Sequence, residues 1–392
     1  MRRFLFITER FPPDMGGVAS SAGRLAEALC QLGIEVDVLT WSRFLRSGEV
    51  SPPEPTVAKP LRTQVYRVGL YRHWDMTLPH TLNLMDWLHR VHPYSGVWGH
   101  YLFPSGFLAT WFAEMQAVPS LVSVRGNDLD RAIFPPGDFA RLQWTLDRAT
   151  LITAVSQNMA HKVQVLNQRK RDVVVLPNAV NHRIFALTDT SPQQNASLRE
   201  ALGIRAEEVV LGFSGELREK KGQQFLLQAL ERVQSQLPAC LLIIGEVRPS
   251  EQVLLQNFSA HHPEAGSRII ITGHLSNPEQ VACHLRLCDV YLQPSLWEGM
   301  PNALLEAMAC GCSCIASDAG GIPEVITQGK TGFLLPRSQL HRLGEAVLEY
   351  LALPVADRMA IGHAANAWVR LHHSPQQEQQ QLQQLLTKIS IE

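Results

Sequence analysis

Short apolar runs alternate with amphipathic stretches of helical length along most of the chain. Near the start, the apolar run RFLFIT leads through two glycines into the helical pattern SSAGRLAEALCQLG, and a second apolar run, IEVDVLT, follows it. This order predicts a strand, a helix and a second strand. Strands that alternate with helices of this length are typical of parallel sheets with helices on both faces.

The same alternation begins again in the second half of the chain. Its apolar runs are EVVLGFSG, ACLLIIG, RIIITG, DVYLQPS and CSCIAS. Two such series predict an α/β protein with two doubly wound, Rossmann-like domains, and the polar segment 187–197 has the composition of a linker. We therefore expect an N-terminal domain at 1–186 and a C-terminal domain at 187–371. The glutamine-rich end, about 372–392, keeps leucines at helical spacing and predicts a terminal helix that packs back on the first domain.

The composition is that of a globular protein. The chain has 392 residues, of which 45% are hydrophobic and 18% are charged. No apolar run approaches the roughly 18 residues of a membrane span, and the run after the basic start is too short for a signal peptide. The seven cysteines are odd in number and lie mostly in apolar segments, which favours buried thiols over a disulfide framework or a metal site. We expect a soluble, cytoplasmic protein.

Charge is distributed unevenly, although the net charge is only −1. The first 180 residues carry +4 and the rest carry −5, and the segments WSRFLRSG and VYRVGLYRHW mix arginine with aromatic residues. Such a mixture is typical of a solvated surface, and it also suits contact with a phosphorylated acceptor or a membrane surface. Peripheral membrane contact through the N-terminal domain therefore stays open.

The segment PSLWEGMPNALLEAMACGC places two carboxylates, Glu298 and Glu306, eight positions apart across the predicted start of a helix. Pro301 suits the first helical position, and Gly311 suits the helix end. In parallel sheets, ligands bind at the carboxyl ends of strands, where a helix N-terminus attracts an anion such as a diphosphate. We expect a ligand cleft between the two domains, with one carboxylate near a sugar and the other near a ribose.

Several segments of the chain resemble, in the same order, the retaining GT-B glycosyltransferases of family GT4. The most specific of them is the Glu-x7-Glu segment with the following ASDAGGIPEVITQGKTGFLLP. PPDMGGVASSAGRLAEAL, GHYLFPSGFLA, VLPNAVNHRIF and FSGELREKKG are similar to the family's glycine loop, His-x-x-x-Pro segment, domain-crossing segment and phosphate-binding loop. The resemblance spans nearly the whole chain. It implies a GT-B fold, in which two Rossmann-like domains face a central cleft.

The resemblance also implies roles for individual residues. His100 and Glu298 match the catalytic side chains beside the transferred sugar, and Gly16, Gly17 and Lys221 match residues that bind the donor diphosphate. The residues expected at the donor sugar and ribose are Gly299, Met300, Pro301, Asn302 and Glu306. The nucleotide-base region comprises Gly273, His274 and Leu275, and the acceptor side comprises Arg125, Asn127 and Asp128.

The implied reaction is transfer of a sugar from a nucleotide-diphosphate sugar to the hydroxyl of a carbohydrate, lipid-linked or small-molecule acceptor, with retained anomeric configuration. Cationic side chains and helix amides would stabilise the leaving diphosphate, so we expect no metal and no other cofactor. Asp128 and Asp130 have the spacing of a metal site, but they follow a strand of the first domain, away from the diphosphate residues. We expect no nucleic-acid partner.

Three other functions remain open. A nucleotide-sugar epimerase of the same architecture would release free sugar without an acceptor, and a phosphorylase would carry pyridoxal phosphate on a lysine. A non-catalytic nucleotide-sugar binder is the third. The joint presence of His100, Lys221, Glu298 and Glu306 argues against such a binder.

One position departs from the family pattern. The residue after Gly215 is usually an arginine that binds the diphosphate, but this chain has Glu216. A carboxylate aimed at a diphosphate would repel it, so we expect Glu216 to point away or to pair with a cation. Arg218, two residues later, is then the expected replacement for this arginine. Lys220 is the competing candidate, and if Arg218 takes the role, Lys220 should behave like a surface charge.

Overall fold

The computed structural model describes residues 2–55, 63–167, 172–187 and 192–389. The chain divides into two compact units. Unit 1 comprises Met1–Asn178 and Pro375–Glu392, and unit 2 comprises Ala179–Ser374. Each unit is built around its own sheet, and each is described separately below.

Unit 1 contains an eight-stranded sheet with the order β3-β4-β2-β1-β5-β6-β7-β8. Every neighbouring pair is parallel except β3 with β4. The central strands β5 and β6 are buried at every position, because helices cover both faces of a parallel sheet. The strands are β1 (Arg3–Thr8), β2 (Glu35–Ser42), β3 (Glu54–Pro55), β4 (Thr63–Gly69), β5 (Gly96–His100), β6 (Ser120–Val124), β7 (Leu151–Ala154) and β8 (Val173–Val175).

The helices of unit 1 connect these strands and bury their apolar faces on the sheet. α1 directs Leu25 and Leu29 into a core with Phe4 and Val36 of the sheet. Ser156 caps α6, since its hydroxyl accepts a hydrogen bond from the Met159 amide at 3.2 Å. The helices before the end of β8 are α1 (Gly17–Gln31), α2 (Trp74–Val91), α3 (Phe107–Gln116), α4 (Asn127–Ala132), α5 (Pro136–Arg148) and α6 (Gln157–Leu166).

Unit 2 contains a six-stranded parallel sheet with the order β11-β10-β9-β12-β13-β14. The strands are β9 (Val209–Ser214), β10 (Ala239–Ile244), β11 (Ile269–Ile271), β12 (Val290–Gln293), β13 (Cys314–Ser317) and β14 (Phe333–Leu335). The helices are α7 (Pro192–Ala201), α8 (Gln223–Gln234), α9 (Pro249–His261), α10 (Pro263–Gly266), α11 (Pro278–Leu285), α12 (Asn302–Ala309), α13 (Leu343–Leu351) and α14 (Val355–His372). Two doubly wound parallel sheets confirm the predicted α/β fold.

The glutamine-rich end of the chain forms the helix α15 (Pro375–Ile389), as its leucine spacing predicts. Leu382, Leu385 and Leu386 of this helix are buried in the core of unit 1, together with Leu25 and Leu29 of α1. The last helix therefore completes the core of the first unit.

The boundary between the units differs from the linker that composition indicates. The segment after Asn178 belongs to unit 2, since the Val180 amide donates to the His373 carbonyl at 2.8 Å. Arg286 also donates to the carbonyl oxygens of Ile184 and Ala186, each at 3.1 Å. The predicted linker 187–197 includes the start of a helix, because Pro192 suits the first turn of α7.

The cysteines of unit 2 are reduced, and most are buried. Cys310, Cys312 and Cys314 lie at the end of α12 and the start of β13, and burial raises the pKa of the Cys310 thiol to about 12. Among the described residues, no group of three or more histidine, cysteine or acidic side chains is arranged to hold a metal ion. These thiols pack as small apolar groups.

A membrane-spanning helix needs roughly 20 apolar residues. The longest described helices, α2 and α14, have 18 residues each. Within the described ranges, no helix combines the length and the apolar character that crossing a membrane requires.

Candidate active site

The predicted site residues follow the carboxyl ends of strands in each unit, and several of them lie next to the point where the strand order reverses. In unit 1 the first strand, β1, lies between β2 and β5, and in unit 2 the first strand, β9, lies between β10 and β12. Loops that leave neighbouring strands in opposite directions open a crevice at such a point, and ligands of open α/β sheets bind there. The strand order thus selects the loops after β1 and β5, and the loops after β9 and β12.

The glycine loop of unit 1 follows β1. Gly16 has a φ of +111° and precedes the first turn of α1, which begins at Gly17. Few residues other than glycine adopt this conformation, and both glycines are exposed. The loop therefore presents backbone, rather than side chains, at the N-terminus of a 15-residue helix.

His100 ends β5 and has no exposed surface. Its Nδ1 lies 3.4 Å from the Thr8 hydroxyl, and its Nε2 lies 3.2 Å from the Ser21 hydroxyl. Burial and the nearby charges of Arg125 and Arg24 hold the pKa of His100 well below its usual value, so the imidazole is neutral at pH 7. The structure places His100 at the predicted strand end, with each ring nitrogen next to a hydroxyl group of the protein.

The residue after His100 adopts a strained conformation. Tyr101 has a φ of +118° and a ψ of 148°, a region that side chains other than glycine's rarely occupy. Its amide donates to the Ser123 carbonyl at 3.1 Å, and the next amide, that of Leu102, donates to Asp128 at 3.0 Å. Strain of this kind persists when surrounding bonds hold it, and here the loop after β6 holds it.

Asp128 joins the loops that follow β5 and β6. Its carboxylate accepts hydrogen bonds from the backbone amides of Leu102, Arg125 and Gly126 at 2.7–3.1 Å. Burial raises the pKa of Asp128 to about 6, and the amide hydrogen bonds offset part of this effect. Both oxygens are thus engaged by backbone, so the side chain positions the loop. Asn127, directly before Asp128 in the chain, is the first residue of α4.

The Asp-x-Asp spacing does not bring two free carboxylates together. Asp128 is held by backbone amides, while Asp130 forms an ion pair with Lys162 at 2.7 Å. A divalent cation needs several oxygen ligands around one point. The two side chains instead face different partners.

The sequence did not identify two charged residues of unit 1, Arg24 and Glu378, as part of a site. Glu378 of α15 is buried, and its carboxylate accepts two hydrogen bonds from Arg24 of α1, at 2.8 and 3.0 Å. These residues lie 354 positions apart, and the motif that contains Arg24 assigns no role to it. The sequence pattern of α15 predicts its buried leucines, but the burial of Glu378 beside them is visible only in the folded structure.

In unit 2, the predicted diphosphate lysine lies beside the predicted catalytic carboxylate. The Lys221 Nζ is 2.5 Å from Glu298 Oε1, and both side chains are largely buried. Two close approaches hold these loops together. The Leu296 amide donates to the Lys220 carbonyl at 2.9 Å, and a Cβ on Gly222 would lie only 1.9 Å from the Pro294 carbonyl oxygen. Glycine at 222 is therefore required for the pairing of these loops.

The carboxylate of Glu298 is surrounded by donors. Ser295 donates to it at 2.9 Å, and Gln293 approaches it at 3.4 Å. Burial alone would raise the pKa of Glu298, but the charges of Lys221 and Lys220 and the hydrogen bonds outweigh burial and lower it. Gln293 and Ser295 were missed by sequence reasoning, although polar residues at alternate positions of an apolar strand end could have indicated them.

Lys220 is not the surface charge that the sequence indicated. Its side chain is only 12% exposed, and its Nζ lies 3.9 Å from Glu298 Oε2. The short 3-10 turn Glu219–Lys221 brings both lysines to the same carboxylate, which no periodicity of the sequence predicts. This group of two lysines and one glutamate carries one positive charge in excess.

The Glu216 carboxylate pairs with a cation, as expected, but chiefly with Arg248. Arg248 donates to its two oxygens at 2.7 and 3.0 Å, while the Arg218 Nη1 lies 3.6 Å away. The loops after β9 and β10 run side by side here, because the Leu217 amide donates to the Glu246 carbonyl at 2.8 Å. The Nε of Arg218 is buried without a hydrogen-bond partner among the described residues. Arg248 therefore makes the two close hydrogen bonds to Glu216, and Arg218 lies farther from it.

The segment after Glu298 leads directly into α12. Gly299, Met300 and Pro301 are buried, and α12 begins at Asn302, one residue later than the proline position predicts. Glu306 is half-buried one turn into this helix, and Gly311, with a φ of +81°, follows its end. A Cβ on Gly320 would lie 1.9 Å from the Glu298 carbonyl oxygen, so the Gly-Gly-Ile-Pro-Glu segment supports the same loop.

The predicted base region follows β11. Gly273 has a φ of +70°, His274 is exposed and Leu275 is half-buried. Thr272 accepts a hydrogen bond from the Gly245 amide at 3.1 Å, which ties this loop to the loop after β10. Because neighbouring parallel strands lie about 4.8 Å apart, the loops after β11, β10, β9 and β12 follow one another along one edge of the sheet.

Two family models match the chain, one in each half. The Glycosyl transferase 4-like domain matches residues 16–179, and Glycosyl transferases group 1 matches residues 208–352. Together they cover most of the chain.

Curated relatives match over most of their own length. The chain is 27% identical to an N-acetyl-alpha-D-glucosaminyl L-malate synthase of Bacillus anthracis over 82% of this chain and 81% of the relative. It is 25% identical to a GDP-mannose-dependent monoacylated alpha-(1-6)-phosphatidylinositol monomannoside mannosyltransferase of Corynebacterium glutamicum over 95% of this chain and 94% of the relative. Both relatives carry the names of sugar-transferring enzymes.

Among solved structures, Anabaena Alr3699/HepE in complex with UDP and glucose is similar to this chain with a TM-score of 0.79. The similarity covers 99% of this chain and 100% of the other, at 18% identity. At this identity the likeness establishes the fold.

Proposed function

The chain belongs to the glycosyltransferases of family GT4, and we propose that it transfers a sugar from a nucleotide-diphosphate sugar to an acceptor hydroxyl with retention of anomeric configuration. One relative is named as GDP-mannose-dependent, and a structural neighbour was solved with UDP and glucose. The observation that carries the proposal is the buried group of Lys220, Lys221 and Glu298 at the strand-order reversal of unit 2.

The donor diphosphate binds to cations and backbone amides in this proposal. Lys221 and Arg218 are its side-chain ligands, supported by the position of Lys221 beside Glu298 and by the Nε of Arg218, which has no hydrogen-bond partner among the described residues. The exposed glycine backbone at Gly16 and Gly17 is a further ligand. These groups stabilise the negative charge that builds on the leaving diphosphate.

The remaining donor contacts follow the strand order of unit 2. The base lies near Gly273, His274 and Leu275, and the ribose is bound by Glu306. The transferred sugar lies at Glu298 and its neighbours, where a carboxylate kept ionised by two lysines accepts hydrogen bonds from sugar hydroxyls. The residues proposed to line the sugar and ribose are Gly299, Met300, Pro301 and Asn302.

The reaction requires no enzymic base in this proposal. The bond from the acceptor oxygen to the anomeric carbon forms as the bond to the diphosphate breaks, on the same face of the sugar. The proton of the acceptor hydroxyl passes to the leaving phosphate oxygen. Cationic side chains supply the charge that a metal ion supplies in other transferases, so we propose that no metal or other cofactor takes part.

The acceptor is assigned to unit 1, with Arg125 and Asn127 as contacts and Asp128 as the residue that positions their loop. His100, neutral and held by two hydroxyls, acts as a hydrogen-bonding group near the transferred sugar. The family assignment favours transfer over epimerisation, because the matched relatives are named as transferring enzymes.

Contact with a membrane surface is a further part of the proposal. Phe44 is 97% exposed between the exposed Arg43 and Arg46, a combination that suits an anionic lipid surface. Sedimentation with anionic vesicles tests it, with Phe44→Asp as the variant and Val355→Asp, at an exposed position of unit 2, as the control. Equal sedimentation of both variants would remove the membrane from the proposal and leave a cytoplasmic enzyme.

The donor assignment is tested with UDP-, GDP-, ADP- and dTDP-sugars. One of them should raise the melting temperature by mass action and release its nucleoside diphosphate on incubation. NMR of the freshly released sugar should show the same sugar and the same anomer as in the donor, whereas release of an epimerised sugar would indicate the epimerase instead. Lys221→Ala should lose the thermal shift, whereas Glu345→Ala, in an exposed ion pair with Arg232, should keep it. If no donor binds, the proposal is wrong.

A further inference from the structure

The first unit contains an arginine that no carboxylate neutralises directly. Arg125 directly follows β6, and its guanidinium donates a hydrogen bond to the neutral amide oxygen of Asn178. Among the described residues, no carboxylate lies within 4.0 Å of this guanidinium, whereas the nearby Arg24 pairs with Glu378. A guanidinium offers five donors, so most of its capacity is unused.

The nearest acidic side chains are already engaged. Both oxygens of Glu378 accept hydrogen bonds from Arg24, at 2.8 and 3.0 Å. Both oxygens of Asp128 accept from backbone amides at 2.7–3.1 Å. Neither can turn to Arg125 without breaking two or more hydrogen bonds, so within the described part of the chain no carboxylate is available to pair with it.

The electrostatics agree with this geometry. Burial and the charge of Arg24 lower the pKa of Arg125 to about 10, and Glu378 and Asp128 offset only part of the effect. Burial lowers the pKa of His100 most, and the charges of the same two arginines lower it further. A partly buried cation beside a second cation is unfavourable unless an anion joins them.

We propose that the acceptor of this enzyme carries an anionic group, a carboxylate or a phosphate, and that Arg125 binds this group with Arg24 beside it. The proposal rests on the transferase function proposed above and names the class of its acceptor. The planar fork of a guanidinium suits carboxylate and phosphate oxygens, and such hydrogen bonds are roughly twice as strong as neutral ones. Arg24 keeps its place because Glu378 holds it.

The alternative is a structural role, in which Arg125 only fixes Asn178. The two roles differ in what they predict for Arg125→Gln. A structural clamp predicts a loss of stability and no change in anion binding. An anion site predicts that stability changes little, because the repulsion from Arg24 is relieved, and that anion binding is lost.

The test titrates anionic probes into the full chain by calorimetry. Glycerol 3-phosphate and L-malate are compared with uncharged glycerol, at equal ionic strength and with the preferred nucleoside diphosphate saturating, so that the phosphate ligands of unit 2 are occupied. We expect the wild type to bind at least one anion and not glycerol. Arg125→Gln should weaken that binding roughly tenfold or more, as loss of a charged hydrogen bond does.

Further variants and vesicles show whether the effect depends on the charge of Arg125, and whether the anion is a soluble molecule or a lipid headgroup. Arg148→Gln removes an exposed arginine paired with Glu114 and should leave probe binding unchanged. Arg125→Lys should recover part of the affinity, because it keeps the charge but loses the fork. Vesicles of phosphatidylcholine with or without phosphatidylinositol form a second arm. Binding of soluble probes indicates a free small molecule, and binding of phosphatidylinositol vesicles alone, lost in Arg125→Gln, indicates a lipid headgroup.

Two results would overturn the proposal. One is that neither soluble anions nor phosphatidylinositol vesicles bind, and the other is that Arg125→Gln binds them as the wild type does. Failure of every nucleoside diphosphate to bind would instead contradict the donor site of unit 2. In that case the probes are titrated into the chain alone, and the result at Arg125 still decides the anion site.

Discussion

In unit 2, the cations of Lys221 and Lys220 lie against a carboxylate of their own, whereas in unit 1 the guanidinium of Arg125 has no carboxylate within 4.0 Å among the described residues. A cation with a fixed partner can stay buried whether or not a ligand is bound. A cation without one depends on what binds. In the functions proposed above, the donor residues of unit 2 would therefore be arranged in advance, whereas Arg125 of unit 1 would gain its partner only from the acceptor.

The same contrast exists between the carboxylates of the two units. Two lysines lower the pKa of Glu298, whereas burial among backbone amides raises the pKa of Asp128 to about 6. Glu298 stays charged through the physiological range and can act on a ligand. Asp128 is engaged by three amides and acts on its own loop.

The largest effect is expected from Glu298→Ala. Turnover should fall by about 10²- to 10³-fold, because the carboxylate acts at the transferred sugar. The nucleoside diphosphate should bind at least as tightly as before, because an anion beside Lys220 and Lys221 is removed. Steady-state kinetics and calorimetry check both, with Glu345→Ala as the control. Near-normal turnover would reject the catalytic role.

His100→Ala should also lose about 10²-fold in turnover while keeping nucleotide affinity. The side chain is fully buried, so the variant should lose stability as well, and His100→Gln keeps a hydrogen-bonding group at similar volume. If His100→Gln recovers the stability of the wild type but not its turnover, the loss of turnover comes from the missing imidazole and not from poorer packing. Full activity of a folded His100→Ala would contradict the assignment.

Arg218→Ala should weaken nucleoside diphosphate binding by about 2 to 3 kcal/mol, as loss of a charged hydrogen bond does. Arg248→Ala should act indirectly, by freeing the Glu216 charge, and Glu216→Gln should restore the affinity of that variant by about 1 kcal/mol, because the pair is half exposed. Calorimetry of these variants decides between the arginines. Equal affinity of Arg218→Ala and wild type would exclude Arg218 as the diphosphate ligand.

The opposite pKa shifts predict opposite pH dependences of stability. The folded-state pKa of Asp128 is raised to about 6 from 3.8, so between these values the folded state binds the extra proton and stability falls as pH rises. Asp128→Asn should remove a slope on the order of 1 to 3 kcal/mol across this window. The lowered pKa of Glu298 gives a contribution that is present at neutral pH and lost only at acidic pH. Urea unfolding from pH 4 to 7 measures both, and identical slopes for wild type and Asp128→Asn would contradict the buried carboxylate.

The smallest effect is expected from chelation. EDTA should leave the rate within about a factor of two, because cationic side chains act on the diphosphate. A loss of activity that Mn²⁺ or Mg²⁺ restores would show that charge at the diphosphate is supplied by a metal ion instead.

Much of the fold follows from local patterns. The runs RFLFIT and ACLLIIG become β1 and β10, and the leucine spacing of the last segment becomes α15, because apolar periodicity is decided by neighbours in sequence. The loops that carry Lys221 and Glu298 were also predictable, since strand ends and helix starts have their own signals. The pairing of Lys221 with Glu298 was less predictable, because these residues lie 77 positions apart.

The sequence alone determined the two α/β units, the family and the loops where chemistry is expected. Only the tertiary structure decided which charges meet. Lys220 lies beside Glu298, Arg248 pairs with Glu216, and Glu378 pairs with Arg24. Among the described residues, no carboxylate pairs with Arg125. The physical reason is one of range. Propensity and periodicity act over a few residues, whereas an ion pair depends on where distant strand ends and helices come together within about 4 Å.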